Sequence, residues 1–248
     1  MTQNRGILYI AFGENFIKEL VFSAESVKKH NPNLHITAYV DQPIKSEFVD
    51  KFVIIKAKHL RPKVDFISLT PYEQTLFLDT DTVVDYNIED MFTLLDSFDI
   101  AATHDLARKR KKYSSVMPEY GAIPYSFSEV NTGVMVFKKN DKVLSLFKKW
   151  NSNFYKYYSH CPWDQPSFRI SLWQSIQEGL NFYVFPVEYN IRSKANREKQ
   201  RKFHHEFGEE HLTPRIYHMH ADNINRGKYD VHSLDQVLNY CKENFMEY

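Results

Sequence analysis

Two aspartates spaced i, i+2, Asp79 and Asp81, lie in the run Thr75-Leu76-Phe77-Leu78-Asp79-Thr80-Asp81-Thr82-Val83-Val84. On an extended backbone that spacing puts both carboxylates on one side. Carboxylates held that close repel, and one pKa rises unless a cation sits between them. A hard divalent ion, Mg²⁺ or Mn²⁺, held by carboxylate oxygens and completed by water or substrate phosphates, satisfies such a pair. The run therefore predicts a metal–diphosphate site at the end of a buried strand. The plainer alternative is an acidic turn, because Asp is common in turns. A second cluster, Arg108-Lys109-Arg110-Lys111-Lys112, reads either as a solvated face or as a loop that meets phosphates or an anionic acceptor.

The elements that must position these groups follow from hydrophobic periodicity. Residues 7–12 form a compact apolar strand. Residues 14–30 place Phe16, Ile17, Leu20, Val21, Ala24 and Val27 at helical spacing, and Asn31-Pro32-Asn33 stops that helix. Strands are predicted over 35–40, 52–55 and 75–78, the last carrying the Asp pair. Asn87 is a candidate cap for a helix over 88–98, with Glu89 and Asp90 in its first turn. A strand over 99–103 follows. Residues 106–128 break the pattern, and a strand over 130–137 resumes it, interrupted by Gly133. Helices are predicted over 141–158 and from 163 to 173, strands over 182–187 and 215–219, and a closing helix over 234–245; residues 191–211 read as polar loop or exposed helix. Strand–helix alternation predicts one α/β domain over residues 1–248, with helices on both faces of the sheet. Ligands bind such sheets at the carboxyl ends of strands, where Asp79 and Asp81 fall.

Composition narrows the function classes. The chain has 248 residues and a formal net charge of +1, so no strong field draws it to nucleic acid or to an anionic membrane. Its two cysteines, Cys161 and Cys241, do not make a disulfide framework and point to a reducing compartment. No apolar run approaches the ~20 residues that span a bilayer. The run over 7–12 lacks a small-residue cleavage site, so it reads as a strand and not as a signal peptide. A cytoplasmic protein is the expectation.

The ordered motifs resemble those of GT-A glycosyltransferases, most closely the glycogenin and bacterial lipopolysaccharide galactosyltransferase group and related nucleotide-diphospho-sugar transferases. Pro71 to Val84 resembles the family's metal-binding segment. Asn131-Thr132-Gly133-Val134-Met135-Val136-Phe137 resembles its Asn-x-Gly strand, and Trp163-Asp164-Gln165-Pro166 its Asp-Gln motif at a helix start. Pro186-Val187-Glu188-Tyr189-Asn190 resembles its late Asn element, and Ile216-Tyr217-His218-Met219-His220 the strand that returns a histidine to the metal. The resemblance spans roughly residues 5–225. It departs from the family after the histidines, where Lys228 comes late and without the Pro-Trp that often follows.

The resemblance implies a mixed, mostly parallel Rossmann-like sheet and transfer of a hexose from a nucleotide-diphosphate sugar, UDP-hexose above all, with retention at the anomeric carbon. It implies Mn²⁺ or Mg²⁺ held by Asp79, Asp81 and a histidine. His218 is favoured by alignment, with His220 as a donor-side neighbour or the true ligand. Mn²⁺ suits a mixed carboxylate–imidazole set better than Mg²⁺. Asn131, Asp164 and Gln165 would surround the transferred sugar, with Asp105 as a fourth member, and Gln165 would lie next to the reacting face. Thr80 and Asn190 join the donor side. Ala11 and Phe12, after the first strand, would meet the uracil, and Asp41 and Lys63 the base, ribose or phosphate. The acceptor, whether glycan, protein, lipid or polyol, is not named by any motif.

Two other readings compete. Leu76-Phe77-Leu78-Asp79-Thr80-Asp81-Thr82-Val83 also resembles the first motif of haloacid-dehalogenase-type phosphatases, which place it on their first strand and need a later acidic pair. A catalytically idle sugar-nucleotide-binding or carbohydrate-binding protein on the same fold is the third.

Overall fold

The computed structural model describes residues 4–56, 59, 61–192, 213–219 and 233–246. Its centre is a seven-stranded sheet of order β3-β2-β1-β4-β7-β6-β8. The strands are β1 (Arg5–Ala11), β2 (His35–Val40), β3 (Lys51–Ile54), β4 (Gln74–Leu78), β6 (Ile100–His104), β7 (Val130–Lys138) and β8 (Phe182–Val184). Every neighbour pair is parallel except those involving β7, which runs against both β4 and β6. The amino end of β7 therefore lies at the same edge of the sheet as the carboxyl ends of β4 and β6. That reversal brings Asn131 to Asp79. A second sheet pairs β5 (Thr82–Val84) with β9 (Ile216–His218), antiparallel, Thr82 opposite His218.

The central strands β1, β4 and β7 are buried along nearly their whole length, as an unbroken apolar run in a covered sheet requires. Helix α1 (Glu14–His30) buries Ile17, Leu20, Ala24 and Val27 and ends at Asn31. The Asn31 side chain also accepts from the Ile88 amide and donates to the Tyr86 carbonyl, fixing the chain after β5. Two short helices, α2 (Lys63–Phe66) and, after β6, α3 (Lys111–Ser114), are followed by α4 (Pro118–Ala122), α5 (Asp141–Tyr157) and α6 (Asp164–Gln177). The Asn140 side chain caps α5 through the Val143 amide, and the apolar stripe Val143, Phe147, Trp150, Phe154 is buried as its spacing predicts. Leu234–Met246 forms the closing helix.

Several expectations change. Residues 88–98 do not form an α-helix. Glu89–Asp96 is a 3₁₀ helix packed on β4 and β7, burying Met91, Phe92 and Leu95. Asn87 accepts from the Glu89 amide next to it. The strand expected over 182–187 stops at Val184, and Val187–Tyr189 is a 3₁₀ turn. The Asp pair is not extended either: β4 ends at Leu78, and the Thr82 amide bonds the Asp79 carbonyl at 3.2 Å, so a turn joins β4 to β5. Residues 106–128 are ordered around Arg169, whose fully buried guanidinium donates to the carbonyls of Tyr120, Pro124 and Phe127. No helix among the described residues is long and apolar enough to cross a membrane.

Candidate active site

Asp79, Asp81 and His218 offer ligand atoms that all lie within 4.8 Å of one another. The β4–β5 turn supplies the aspartates, and the β5–β9 pairing carries His218 back to them. His218 Nε2 is 3.2 Å from Asp81 Oδ1 and 3.9 Å from Asp79 Oδ2. Gly133 on β7 makes that approach possible: a Cβ there would lie 2.2 Å from His218 Cε1 and 2.7 Å from Asp79 Oδ2.

The hydrogen bonds behind the imidazole set its tautomer. The Gly133 amide and Asn190 Nδ2 both donate to Asn131 Oδ1, each at 2.9 Å, which fixes the orientation of both asparagine amides. Asn190 Oδ1 then faces His218 Nδ1 at 2.9 Å and can only accept. Nδ1 therefore carries a proton, and Nε2 faces the two carboxylates, where a divalent ion would take its lone pair. Burial pushes the Asp81 carboxyl up, but the adjacent imidazole and Lys63 pull it further down, leaving it below its ordinary value. Two carboxylates and an imidazole nitrogen form a donor set that suits a divalent ion.

Lys63, buried at the start of α2, sits between the carboxylates of Asp79 and Asp164. Its Nζ lies 3.1 Å from both Asp79 oxygens and 3.1 Å from Asp164 Oδ2. Burial alone would lower its pKa; Asp164 and Asp79 more than offset that and raise it. Asp164 is the first residue of α6, and its carboxylate crosses to Thr132 Oγ1 at 2.8 Å and to Arg61 Nε at 3.6 Å. Burial would raise its pKa, yet Lys63 and Arg61 bring it down to about 2. Its backbone carbonyl accepts from Trp150 Nε1, so α5 holds the start of α6 in place.

A cavity of about 540 Å³ joins these groups: Asp79, Asp81, His218, Asp105, Asn131, Asp164 and Gln165 all line it. Phe12, Thr80 and Lys63 line a smaller adjoining cavity of about 130 Å³ with Asp79 and Asp81. The Thr80 hydroxyl is turned to Glu19. Asp105 is buried and paired with Arg192 and Arg110. Asn190 lies behind His218 and not on the cavity wall. Ala11 is buried in the core, and Asp41 holds the amide of Gly13, whose φ of 94° begins α1; neither lines these cavities. His220 and Lys228 lie outside the described residues. Of the basic run, Arg110 and Lys112 reach the large cavity, while Lys109 is tied to the carbonyls of Gly121 and Ile123.

Sequence reasoning missed Thr132, Arg61, Trp163 and Glu129. Arg61 stacks over Trp163 at 4.9 Å at the cavity wall. Glu129 immediately precedes β7, two residues before Asn131, outside the strand that periodicity predicts.

The sequence model of the nucleotide-diphospho-sugar transferase family matches residues 73–232. No curated protein matches the chain by sequence. Among solved structures, the glycosyltransferase GlyE of Streptococcus pneumoniae TIGR4 superposes with a TM-score of 0.62 at 16% identity, covering 97% of this chain and 64% of that one. The bifunctional glycosyltransferase WbbM superposes with a TM-score of 0.59 at 12% identity, covering 98% of this chain and 50% of that one. The chain thus spans less than two thirds of the length of these neighbours, and the likeness is one of fold.

Proposed function

The chain belongs to the nucleotide-diphospho-sugar transferase family, and on that premise we propose that it moves a hexose from a UDP-hexose to a hydroxyl acceptor, with Mn²⁺ or Mg²⁺ bound and with retention at the anomeric carbon. The observation that carries this reading is the Asp79–Asp81–His218 cluster opening into the cavity that also exposes Asp164 and Gln165.

Transfer breaks the bond between the anomeric carbon and a phosphate oxygen, and the departing diphosphate gathers negative charge. A divalent ion held by Asp79, Asp81 and His218 would neutralise that charge as a Lewis acid. The chain's own groups do the rest. Lys63 keeps the metal-side and sugar-side carboxylates at a fixed separation. Asp164 Oδ2 is occupied by Thr132 and Lys63, while Oδ1, 3.6 Å from Arg61 Nε, keeps lone-pair capacity to accept from a sugar hydroxyl. Asn131 and Gln165 present amides whose orientations are fixed by bonding, so they position the sugar ring without rearranging.

Retention is supported by the carboxylates of the cavity. An inverting enzyme needs a free base to take the acceptor proton. Among the described residues that line the cavity, Asp79 is paired with Lys63, Asp105 with Arg192 and Asp164 with Lys63, and Asp81 faces His218 within the metal cluster. None stands free to do so. A phosphatase reading finds no support: the third member of the cluster is a histidine, and the Asp pair follows the fourth strand in sequence.

The test is incubation with Mn²⁺, a panel of nucleotide sugars and candidate hydroxyl acceptors. Release of UDP from a UDP-hexose with an α-linked product is expected. Release of free phosphate, or a β-linked product, would contradict the reading. Tight nucleotide-sugar binding without transfer would point to the idle binding protein.

A further inference from the structure

Residues 106–128 interrupt the strand–helix alternation and have no part in the sheet; Arg110 and Lys112 reach the cavity directly, and the segment is also joined to Gln165 through Glu129. Glu129 precedes β7 and is fully buried. Its backbone closes the segment: its amide donates to the Arg108 carbonyl at 2.9 Å, and its carbonyl accepts from the Asp105 amide at 2.9 Å. Its carboxylate is held from two sides. Tyr120 of α4 donates its hydroxyl to Oε2 at 2.8 Å, and the Arg110 amide donates to that same hydroxyl at 2.9 Å. Gln165 donates Nε2 to Oε1 at 2.7 Å.

Gln165 is thereby bound at both ends, since Asn131 Nδ2 donates to its Oε1 at 3.3 Å. The hydrogen bonds run in one sense from the metal side inward: His218 to Asn190, Asn190 to Asn131, Asn131 to Gln165, Gln165 to Glu129. Every amide in the series has one orientation, because the Gly133 amide fixes Asn131 and Asn131 Nδ2 then donates to Gln165 Oε1, which turns Gln165 Nε2 to Glu129. A carboxylate buried this deeply is costly unless its bonds hold it. Burial pushes the Glu129 carboxyl above its ordinary value, further than the bonds from Gln165 and Tyr120 pull it down.

We propose that Glu129 is a positioning residue for the transfer reaction: buried behind Gln165 and held by Tyr120, it sets which end of the Gln165 amide faces the transferred sugar. The segment 106–128 exists in this account to close the cavity wall and to hold Glu129. The inference rests on the reading that Gln165 meets the sugar.

Two measurements on the full chain test it. In ¹⁵N-labelled protein, the Gln165 side-chain amide should exchange slowly in the wild type and in Glu129→Gln, which keeps an accepting oxygen, and should lose protection in Glu129→Leu. In turnover, Glu129→Leu should fall on the order of 10²-fold with UDP affinity unchanged, because misplacement at the reacting centre is felt in the transition state. Glu129→Gln should recover most of that rate, and Glu129→Leu combined with Gln165→Ala should be no slower than Gln165→Ala alone. If Glu129→Leu does not fold, Tyr120→Phe replaces it: a loss of rate is expected that vanishes in the Gln165→Ala background. Additive losses, an unprotected Gln165 amide in the wild type, or a Glu129→Gln variant as slow as Glu129→Leu would overturn the assignment. A protected amide in a wild type that moves no sugar would instead refute the transferase reading while keeping the Glu129–Gln165 pairing.

Discussion

Gly133 and His218 meet so closely that the hydrogen on the glycine Cα is the only substituent the imidazole leaves room for. A Cβ at position 133 would lie 2.2 Å from His218 Cε1, far inside van der Waals contact. The backbone of β7 thus forms the wall against which the third ligand of the Asp79–Asp81–His218 cluster is set.

Gly133→Ala should therefore push the imidazole away from the two carboxylates. Mn²⁺ affinity, measured by calorimetry, should drop by on the order of 10-fold or more, as for other changes that disturb the support of a ligand. An alanine variant with wild-type Mn²⁺ affinity would mean that His218 does not bind the ion from this position.

Asn190 offers a second way to reach the same ligand without touching it. Removing its carbonyl in Asn190→Ala frees the imidazole to place its proton on Nε2, facing the carboxylates. A loss of roughly 10- to 100-fold in Mn²⁺ affinity is expected. NMR of the His218 ring nitrogens should report the Nδ1–H form in the wild type and a mixture in the variant. A single Nε2–H form in the wild type would contradict the assigned hydrogen bonds.

Much of this site was legible in the sequence, and the reasons for the rest are local. Asp79 and Asp81 stand out by their spacing at the end of a buried run, Asn131, Asp164, Gln165 and His218 only through the ordered resemblance to the family, and the structure brings all six to one cavity. The reversal of β7 is not legible, because an apolar run has no direction in its pattern; without it Asn131 would lie at the far edge of the sheet. The turn between Asp79 and Asp81 hides behind a strand-like spacing. The 3₁₀ course of Glu89–Asp96 depends on how Met91, Phe92 and Leu95 fit the sheet, which helical propensity does not encode. Arg61 and Thr132 are ordinary residue types whose importance comes only from facing Asp164.

Asp164→Asn removes a charge from the sugar side and should leave UDP affinity nearly unchanged. Turnover should fall on the order of 10²-fold or more, since the lost contact positions the sugar in the transition state. A fully active variant would return Asp164 to a purely structural role at the start of α6.

The same residue predicts an acid limb of stability. The Asp164 pKa falls from an ordinary 3.8 to about 2 on folding. A depressed carboxylate contributes stability that is complete above its unfolded value and is lost as pH falls through its folded value. In protein without added metal, the stability gap between wild type and Asp164→Asn should therefore shrink as pH falls from 3.8 to about 2, by an amount on the order of 2 kcal/mol. Urea unfolding across that range measures it, and a gap that stays constant would show that the carboxylate is not stabilised by Lys63 and Arg61.

The central claim is that Asp79, Asp81 and His218 bind a divalent ion that in turn holds the donor diphosphate. Calorimetric titration of UDP into the wild-type chain and into Asp81→Ala, each with Mn²⁺ and then with excess chelator, tests it most directly. The account predicts binding by the wild type that collapses on chelation, and an Asp81→Ala variant that keeps its fold, by melting temperature, but binds UDP no better with Mn²⁺ than without. Equal UDP affinity in all four titrations would contradict it.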